Sequence, residues 1–300
     1  MDRRRNASAA LTLGALALTA AAAAPKAAAA DFPLGDQGRL LATGGVAQVE
    51  GAAGAGLAPW ALIAGYGSRD SFGAAVHYTH VPLSDFTLRT AGLAVGAFDR
   101  VEVSYARLWF DTNEAGAALG LGEDFTFEQD VIGIKARLFG DAVYDQDKWL
   151  PQVAVGVQYK STSDAPVLAA VGAQRDDDVD FYVAATKLFL GRSLLANATV
   201  RLTRANQLGL LGFGGDRNDA YRPQLEASLA YLFSRKFAAG VEIRTKPDNL
   251  GFAEEDDAFD VFAAYFPTKH VSLTLAYVDL GDIALQGPQR GAYASIQVGF

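Results

Sequence analysis

Three histidines, His77, His80 and His270, are the first residues in this chain to test for chemistry. His77 and His80 stand three apart on a segment that reads as a strand, so they point to opposite faces. A facial pair of metal ligands on a strand would need i, i+2 spacing. His270 falls in a predicted turn. A lipid-facing hydrolase needs a serine beside a histidine; Ser71 or Ser104 near His77 is the conceivable pair, and nothing local marks either serine as a nucleophile. The glycine runs at 44–45 and 209–215 lack the strand–loop–helix setting and the Lys-Ser/Thr of a phosphate loop. The chain has no cysteine, which excludes disulfides, thiolate metal sites, a cysteine nucleophile and a lipoprotein anchor. The expectation is no catalytic residue, no resident metal and no cofactor.

Charge carries the remaining chemistry. Asp176, Asp177 and Asp178, and Glu254 to Asp257, cluster in predicted loops. They read as solvated surface, or as a place where divalent ions bridge to anionic lipid headgroups. On predicted strands, Arg89, Lys135, Arg137, Lys160, Lys187, Arg201, Arg244 and Lys246 outnumber Glu102, Glu226 and Glu242. If these residues share one enclosed face, it is a basic lumen, and rings of Lys and Arg bias a pore toward anions. A charge-paired interior that only supports a wall is the plainer alternative.

The elements that would position these charges are segments of about ten residues with alternating side chains, the signature of strands with one apolar and one wet face. Val153, Val155, Val157 and Tyr159 oppose Gln152, Gln158 and Lys160. Leu194, Ala196, Ala198, Val200 and Leu202 oppose Asn197, Thr199, Arg201 and Thr203. Phe237, Ala239, Val241 and Ile243 oppose Glu242, Arg244 and Lys246.

The pattern predicts about fourteen strands (12–16 allowed), near 40–49, 58–67, 72–81, 85–97, 100–110, 124–139, 150–160, 179–190, 194–204, 221–233, 236–246, 257–266, 270–280 and 291–300. Short gaps at 67–71, 98–100, 191–193, 234–236 and 267–270 alternate with long ones at 111–123, 161–178, 205–219, 247–256 and 281–290. Periplasmic turns and external loops of an outer-membrane barrel alternate in this way. Two gaps fit poorly: 82–84 is short for an external loop and 140–148 long for a periplasmic turn.

The first thirty residues read as a cleaved secretory signal: Arg3, Arg4 and Arg5, an apolar run over 9–24, and Ala28, Ala29 and Ala30 before Asp31. The domain then covers 31–300, and whether 31–39 folds inward as a plug is left open. Removing 1–30 takes away Arg3, Arg4, Arg5, Lys26 and Asp2, moving the net charge from −8 to −11. Such a balance excludes a nucleic-acid partner, which needs a basic footprint. Thirty-one glycines spread through strands and turns suit a curved, close-packed sheet.

The last strand places Ala292, Ala294, Ile296, Val298 and Phe300 on one face. It is similar to the C-terminal strand of proteins inserted by the outer-membrane assembly machinery, which Phe300 would engage. Rings bracket strand ends (Trp149 and Tyr159, Tyr221 and Phe233, Phe259 and Tyr265), as in the girdles at two membrane interfaces.

LLATGGVAQVEGAAGAGLAPWALIAGYG (40–67), RLFGDAVYDQDKWLPQVAVGVQYK (137–160), DFYVAATKLFL (180–190), ANQLGLLGFGGDRNDAYR (205–222), KPDNL (246–250) and FPTKHVSLTLAYVDLGDIA (266–284) together resemble a proteobacterial family catalogued as domain of unknown function 3034. The resemblance implies an exported barrel without assigned activity or catalytic residues.

The reading is an all-β, closed antiparallel transmembrane barrel in an outer membrane, contacting its lipids and lipopolysaccharide. The expected activity is passive passage of small solutes, with anionic ones the sharper expectation. A filled-lumen structural or adhesive barrel and, more remotely, an outer-membrane lipid hydrolase are the alternatives. No oligomer interface is readable.

Overall fold

The computed structural model describes residues 39–300; the signal-sequence reading and most of 31–39 lie outside them. Two short strands, β1 (Val46–Ala47) and β2 (Ala53–Gly54), pair with each other and not with the wall, and Gly54 also bridges Pro59. Twelve strands form the closed wall. They are β3 (Phe72–Pro82), β4 (Thr87–Ala97), β5 (Val101–Asp111), β6 (Thr126–Phe139), β7 (Gln152–Thr162), β8 (Asp177–Phe189), β9 (Leu194–Thr203), β10 (Arg222–Ser234), β11 (Phe237–Arg244), β12 (Ala258–Tyr265), β13 (Val271–Ile283) and β14 (Gln286–Gly299). Each pairs antiparallel with its neighbour in sequence. The ring closes where β14 pairs with β3, from Ala294 opposite His80 to Gly299 opposite Ala75.

The wall forms because its strands alternate over their central residues in a way that satisfies two environments at once. Val103, Ile134, Val183, Val200, Val241 and Val261 point outward and exposed, while Glu102, Lys135, Tyr182, Arg201, Glu242 and Phe262 point inward and are buried. Aromatic rings gather on the outward face near the rim that carries both ends of the wall. Phe72 packs on Phe98 with ring centroids 4.9 Å apart, and Phe233 contacts Tyr231 and Phe237. The hairpin at that rim between β4 and β5 needs left-handed backbone, which Phe98 and Asp99 adopt (φ 55° and 51°).

The strand count corrects the expectation. Segments 40–49 and 58–67 are not wall strands; with the residues between them they run through the lumen. The physical reason is visible in burial. Residues 43–66 are buried consecutively, with no exposed face for lipid, and their small Ala and Gly side chains fit a crowded interior. Losing an even number of strands leaves the turn-and-loop rhythm intact. Both ill-fitting gaps are real: β3 and β4 are joined by four residues at the far rim, and 140–151 makes a long connection at the near one. Gly65 (φ 75°) marks where the luminal segment leaves: a Cβ there would lie 2.4 Å from the Ala74 nitrogen and 2.7 Å from the Phe300 carbonyl oxygen.

Candidate functional site

Most of the sequence-predicted charges converge in the lumen, so the site is built from its inward-facing side chains and the segment 40–67 they hold. Wall side chains grip that segment mostly by its backbone. Lys135 donates to the carbonyls of Ala53 (2.9 Å) and Trp60 (3.1 Å). Glu102 pairs with Lys135 at 3.0 Å and accepts from the N–H groups of Ala53 and Ala64. Gln152 donates to the Ala61 carbonyl, Thr186 accepts its N–H, Thr199 donates to the Pro59 carbonyl and Thr90 to that of Val49. The Trp60 indole donates to Ser228 at 2.9 Å. The segment makes a few turn-like backbone bonds of its own, such as Val49 N–H to the Gly56 carbonyl, and wall side chains satisfy many of the backbone groups that remain.

At the centre lies Glu50, fully buried. It pairs with Lys160, with Arg244 at 2.9 Å and with Arg201 at 3.6 Å. Arg201 also pairs with Glu226 (2.6 Å) and Asp180 (3.2 Å), Lys160 with Asp180 (2.7 Å), and Arg244 with Glu226 (3.3 Å). Three cations and three carboxylates thus neutralise each other in a site sealed from water. Such a network persists only because every member is matched; removing one partner strands a buried charge.

Both ends are closed. Near the rim of the wall's ends, Arg39 donates to the carbonyls of Ile63 (2.7 Å) and Gly65 (2.9 Å) and pairs with Asp99. Arg137 joins Asp99 and Asp141. Burial opposes ionisation of Asp141, but the Tyr144 and Val143 N–H groups and Arg137 hold its carboxyl below the usual range. Above them, Trp60, Leu62, Val143, Leu195 and Phe262 enclose an apolar cavity of about 40 Å³. At the far rim the loop 204–221 folds inward. Its Leu208 carbonyl accepts from Lys160 and Gln129, and its Gly209 carbonyl from Thr162. Leu208, Leu210 and Leu250 then join Leu88, Leu108 and Phe110 in an apolar core. Lys246 ties this cap to Gln207, the Leu280 carbonyl and Glu255.

The predicted lumen residues therefore divide. Lys135, Arg137, Lys160, Arg201, Arg244, Lys246, Glu102, Glu226 and Glu242 are inward and buried. Arg89 and Lys187 are not inward: both have outward parity, Arg89 part-exposed and Lys187 buried under the connection after β6. Arg89 forms a bidentate pair with Asp111 close to the far rim. Lys187, at the end of β8, donates to the Asp145 and Leu150 carbonyls of the long connection. Strand ends let a long side chain reach the rim, so a charge there need not face inward. The expected basic surplus is also corrected, because Asp180 and Asp260 face inward and Glu50 enters with the luminal segment.

His77 is inward and buried, His80 lies on the opposite face, and the His270 ring nitrogen meets the Gly299 carbonyl at 2.7 Å. Among the described residues, no hydrogen bond joins Ser71 or Ser104 to a histidine, and no three His, Asp or Glu side chains gather as metal ligands. The acidic run at 176–178 is partly neutralised, with Arg204 bonded to Asp178 and the Tyr159 hydroxyl to Asp177.

This geometry defines a porin-like barrel whose lumen is filled by its own chain. By sequence, the protein belongs to the family described as Protein of unknown function (DUF3034), whose model matches residues 43–297. No curated protein matches it. Among solved structures it is similar to the NanC porin, with a TM-score of 0.50 at 10% identity over 75% of this chain and 98% of that one. It is also similar to the KdgM porin, with a TM-score of 0.49 at 11% identity over 75% and 99%. The outer membrane phospholipase A from Escherichia coli gives 0.42 at 11% identity over 76% and 92%. At these identities the likeness is one of fold.

Proposed function

We propose that the protein is an outer-membrane channel for small solutes, held shut by residues 40–67. One observation carries this reading: the twelve-strand wall closes on itself without the segment, which is held chiefly by wall side chains that water could satisfy in its place. The rim with both ends of the wall faces the periplasm, as in barrels with short periplasmic turns. The outward belt contacts lipid and lipopolysaccharide, and the strand ending in Phe300 engages the assembly machinery. Displacing the segment removes Glu50 and leaves Lys160, Arg201 and Arg244 facing Asp180 and Glu226. That local surplus of one positive charge draws anions to the centre of the lumen, offset by Glu242 and Asp260 on the neighbouring strands. The fold serves passage rather than catalysis.

Planar-bilayer recording tests this. The intact protein should conduct rarely, and deletion of 40–67 should raise open probability at least tenfold. The cysteine-free chain also permits Ala64→Cys with Ala94→Cys, at positions that pack in one cluster; the oxidised pair should hold the channel shut and a reductant restore openings. A second reading, a permanently filled scaffold, draws on the apolar core beneath the far rim, where Leu208, Leu210 and Leu250 pack on Leu88, Leu108 and Phe110. Folded protein that never conducts, with or without the segment, would establish it.

A further inference from the structure

Glu242 and Asp260 have no role in the grip described above beyond one contact, and their placement is unusual. They are direct partners across the β11–β12 ladder, both inward, at 3% and 2% exposure. Like charges directly opposite each other on one face destabilise a sheet, and more so where water is excluded. Two buried carboxylates need a cation to ionise together. Among the described residues neither pairs with one: Arg244, next on the same face of β11, is committed to Glu50 and Glu226, and Lys135 to Glu102.

The pair aims at the turn of the luminal segment. Glu242 accepts the Leu57 N–H at 2.9 Å and the Ser228 hydroxyl at 2.7 Å. A Cβ added to Gly56 would sit 3.3 Å from Asp260 Oδ2 and 3.4 Å from Glu242 Oε2, so both carboxyls converge on that glycine. Asp260 Oδ1 is buried without a hydrogen bond, as is the hydroxyl of Tyr293, whose ring edge would lie 3.5 Å from a Cβ on Gly56. The other elements packed here bring no formal charge: Ser228 from β10, Thr274 and Val278 from β13, Tyr293 and Ser295 from β14, and Thr79 from β3.

We propose that Glu242 and Asp260 are a proton-operated latch on the luminal segment: one shared proton lets both carboxyls close on the Gly56–Leu57 turn, and its loss drives them apart and frees the turn. This deepens the gated-channel reading and rests on it. The proton leaves to water as hydroxide or buffer base takes it up, so the step needs no other reactant. The docked state is favoured while the pair holds its proton and weakens as pH rises.

The test is open probability in planar bilayers across pH 6 to 10 for the intact chain, Glu242→Gln and Asp260→Asn. Infrared difference spectra of the same samples follow the protonated carboxyl stretch. The intact protein should open at least tenfold more often at the alkaline end and lose a carboxyl band over the same range. Each single amide variant removes the second negative charge and should flatten the pH response while keeping the channel closed. A pH response unchanged in both variants overturns the latch, as does a response to added Ca²⁺ with none to pH. If deletion of 40–67 gives no conductance at any pH, the channel reading fails; the infrared band then still decides whether the proton is shared.

Discussion

The wall and the luminal segment are built by opposite rules. Every wall strand faces two media, so its sequence must alternate, and its backbone is satisfied by neighbouring strands. Residues 43–67 of the segment face protein on all sides, so nothing in that sequence needs to alternate, and its backbone is satisfied partly by its own turns and partly by side chains such as Lys135, Glu102 and Gln152. The difference teaches that the wall is autonomous while the segment is a guest. Damage to the segment should spare the wall; damage to the wall should take both.

The largest expected effect follows from Glu50. Glu50→Ala leaves Lys160, Arg201 and Arg244 sharing only Asp180 and Glu226, and breaking a buried ion network in this way costs about 3–5 kcal/mol. Limited proteolysis should then cleave 40–67 in folded protein, while the barrel still resists SDS until boiled. Loss of the SDS-resistant form would mean that the segment is part of the wall's folding unit.

Next comes the lipid face. Val241 and Val155 point outward in mid-strand, so Val→Arg at either should cost about 2–4 kcal/mol near the bilayer midplane. Arg at inward Gln158 acts differently, by crowding Arg201, whose guanidinium that amide accepts at 2.5 Å. Reversible unfolding in lipid vesicles compares the three. An outward Arg that costs nothing would break the assignment of faces.

These faces are legible in the sequence, and the reason is physical. Alternation in 72–300 placed all twelve wall strands close to their observed limits, because lipid on one side and a polar interior on the other leave a period of two. Segment 40–67 was misread because Ala and Gly satisfy a strand pattern and a crowded lumen equally well. Glu50 was lost with it. Its signal was available: it is the lone charged residue between Arg39 and Arg69, and a lone acid there implies a partner waiting elsewhere. Lys187 and Arg89 were misplaced because charge on a strand was read as lumen even where parity pointed outward. The Glu242–Asp260 juxtaposition depends on register across two strands, which no local pattern encodes.

A smaller, pH-dependent effect separates the far-rim cap from both regions. Burial pushes the Glu255 carboxyl up to about 7, against the pull of Lys246. An acid raised in the folded state costs stability once ionised, so the cap is tightest near and below the ordinary value of 4.5 and loosens as pH rises through about 7. Hydrogen exchange at 207–211 should quicken between pH 5 and 8 beyond the intrinsic rate. Glu255→Gln should remove that extra step. An extra step that survives the substitution assigns the loosening to another group.

The smallest effect is expected where charge sits outside the lumen. Arg89 and Asp111 make two hydrogen bonds of 3.0 Å, yet the Arg89 side chain is 41% exposed. Solvent screens such a pair, and holding two side chains in one geometry costs entropy, so exposed pairs contribute about 0.2–1 kcal/mol. Arg89→Ala should therefore leave unfolding, SDS resistance and single-channel conductance within error of the intact chain. Arg201→Ala, from a residue of the same type, should disturb all three, because its guanidinium holds Glu226, Asp180 and Glu50 without water. The contrast isolates environment from residue type. If Arg89→Ala alters conductance as strongly as Arg201→Ala, the solute path runs along the far rim beside β4 and β5, and the closed lumen is not the barrier that matters.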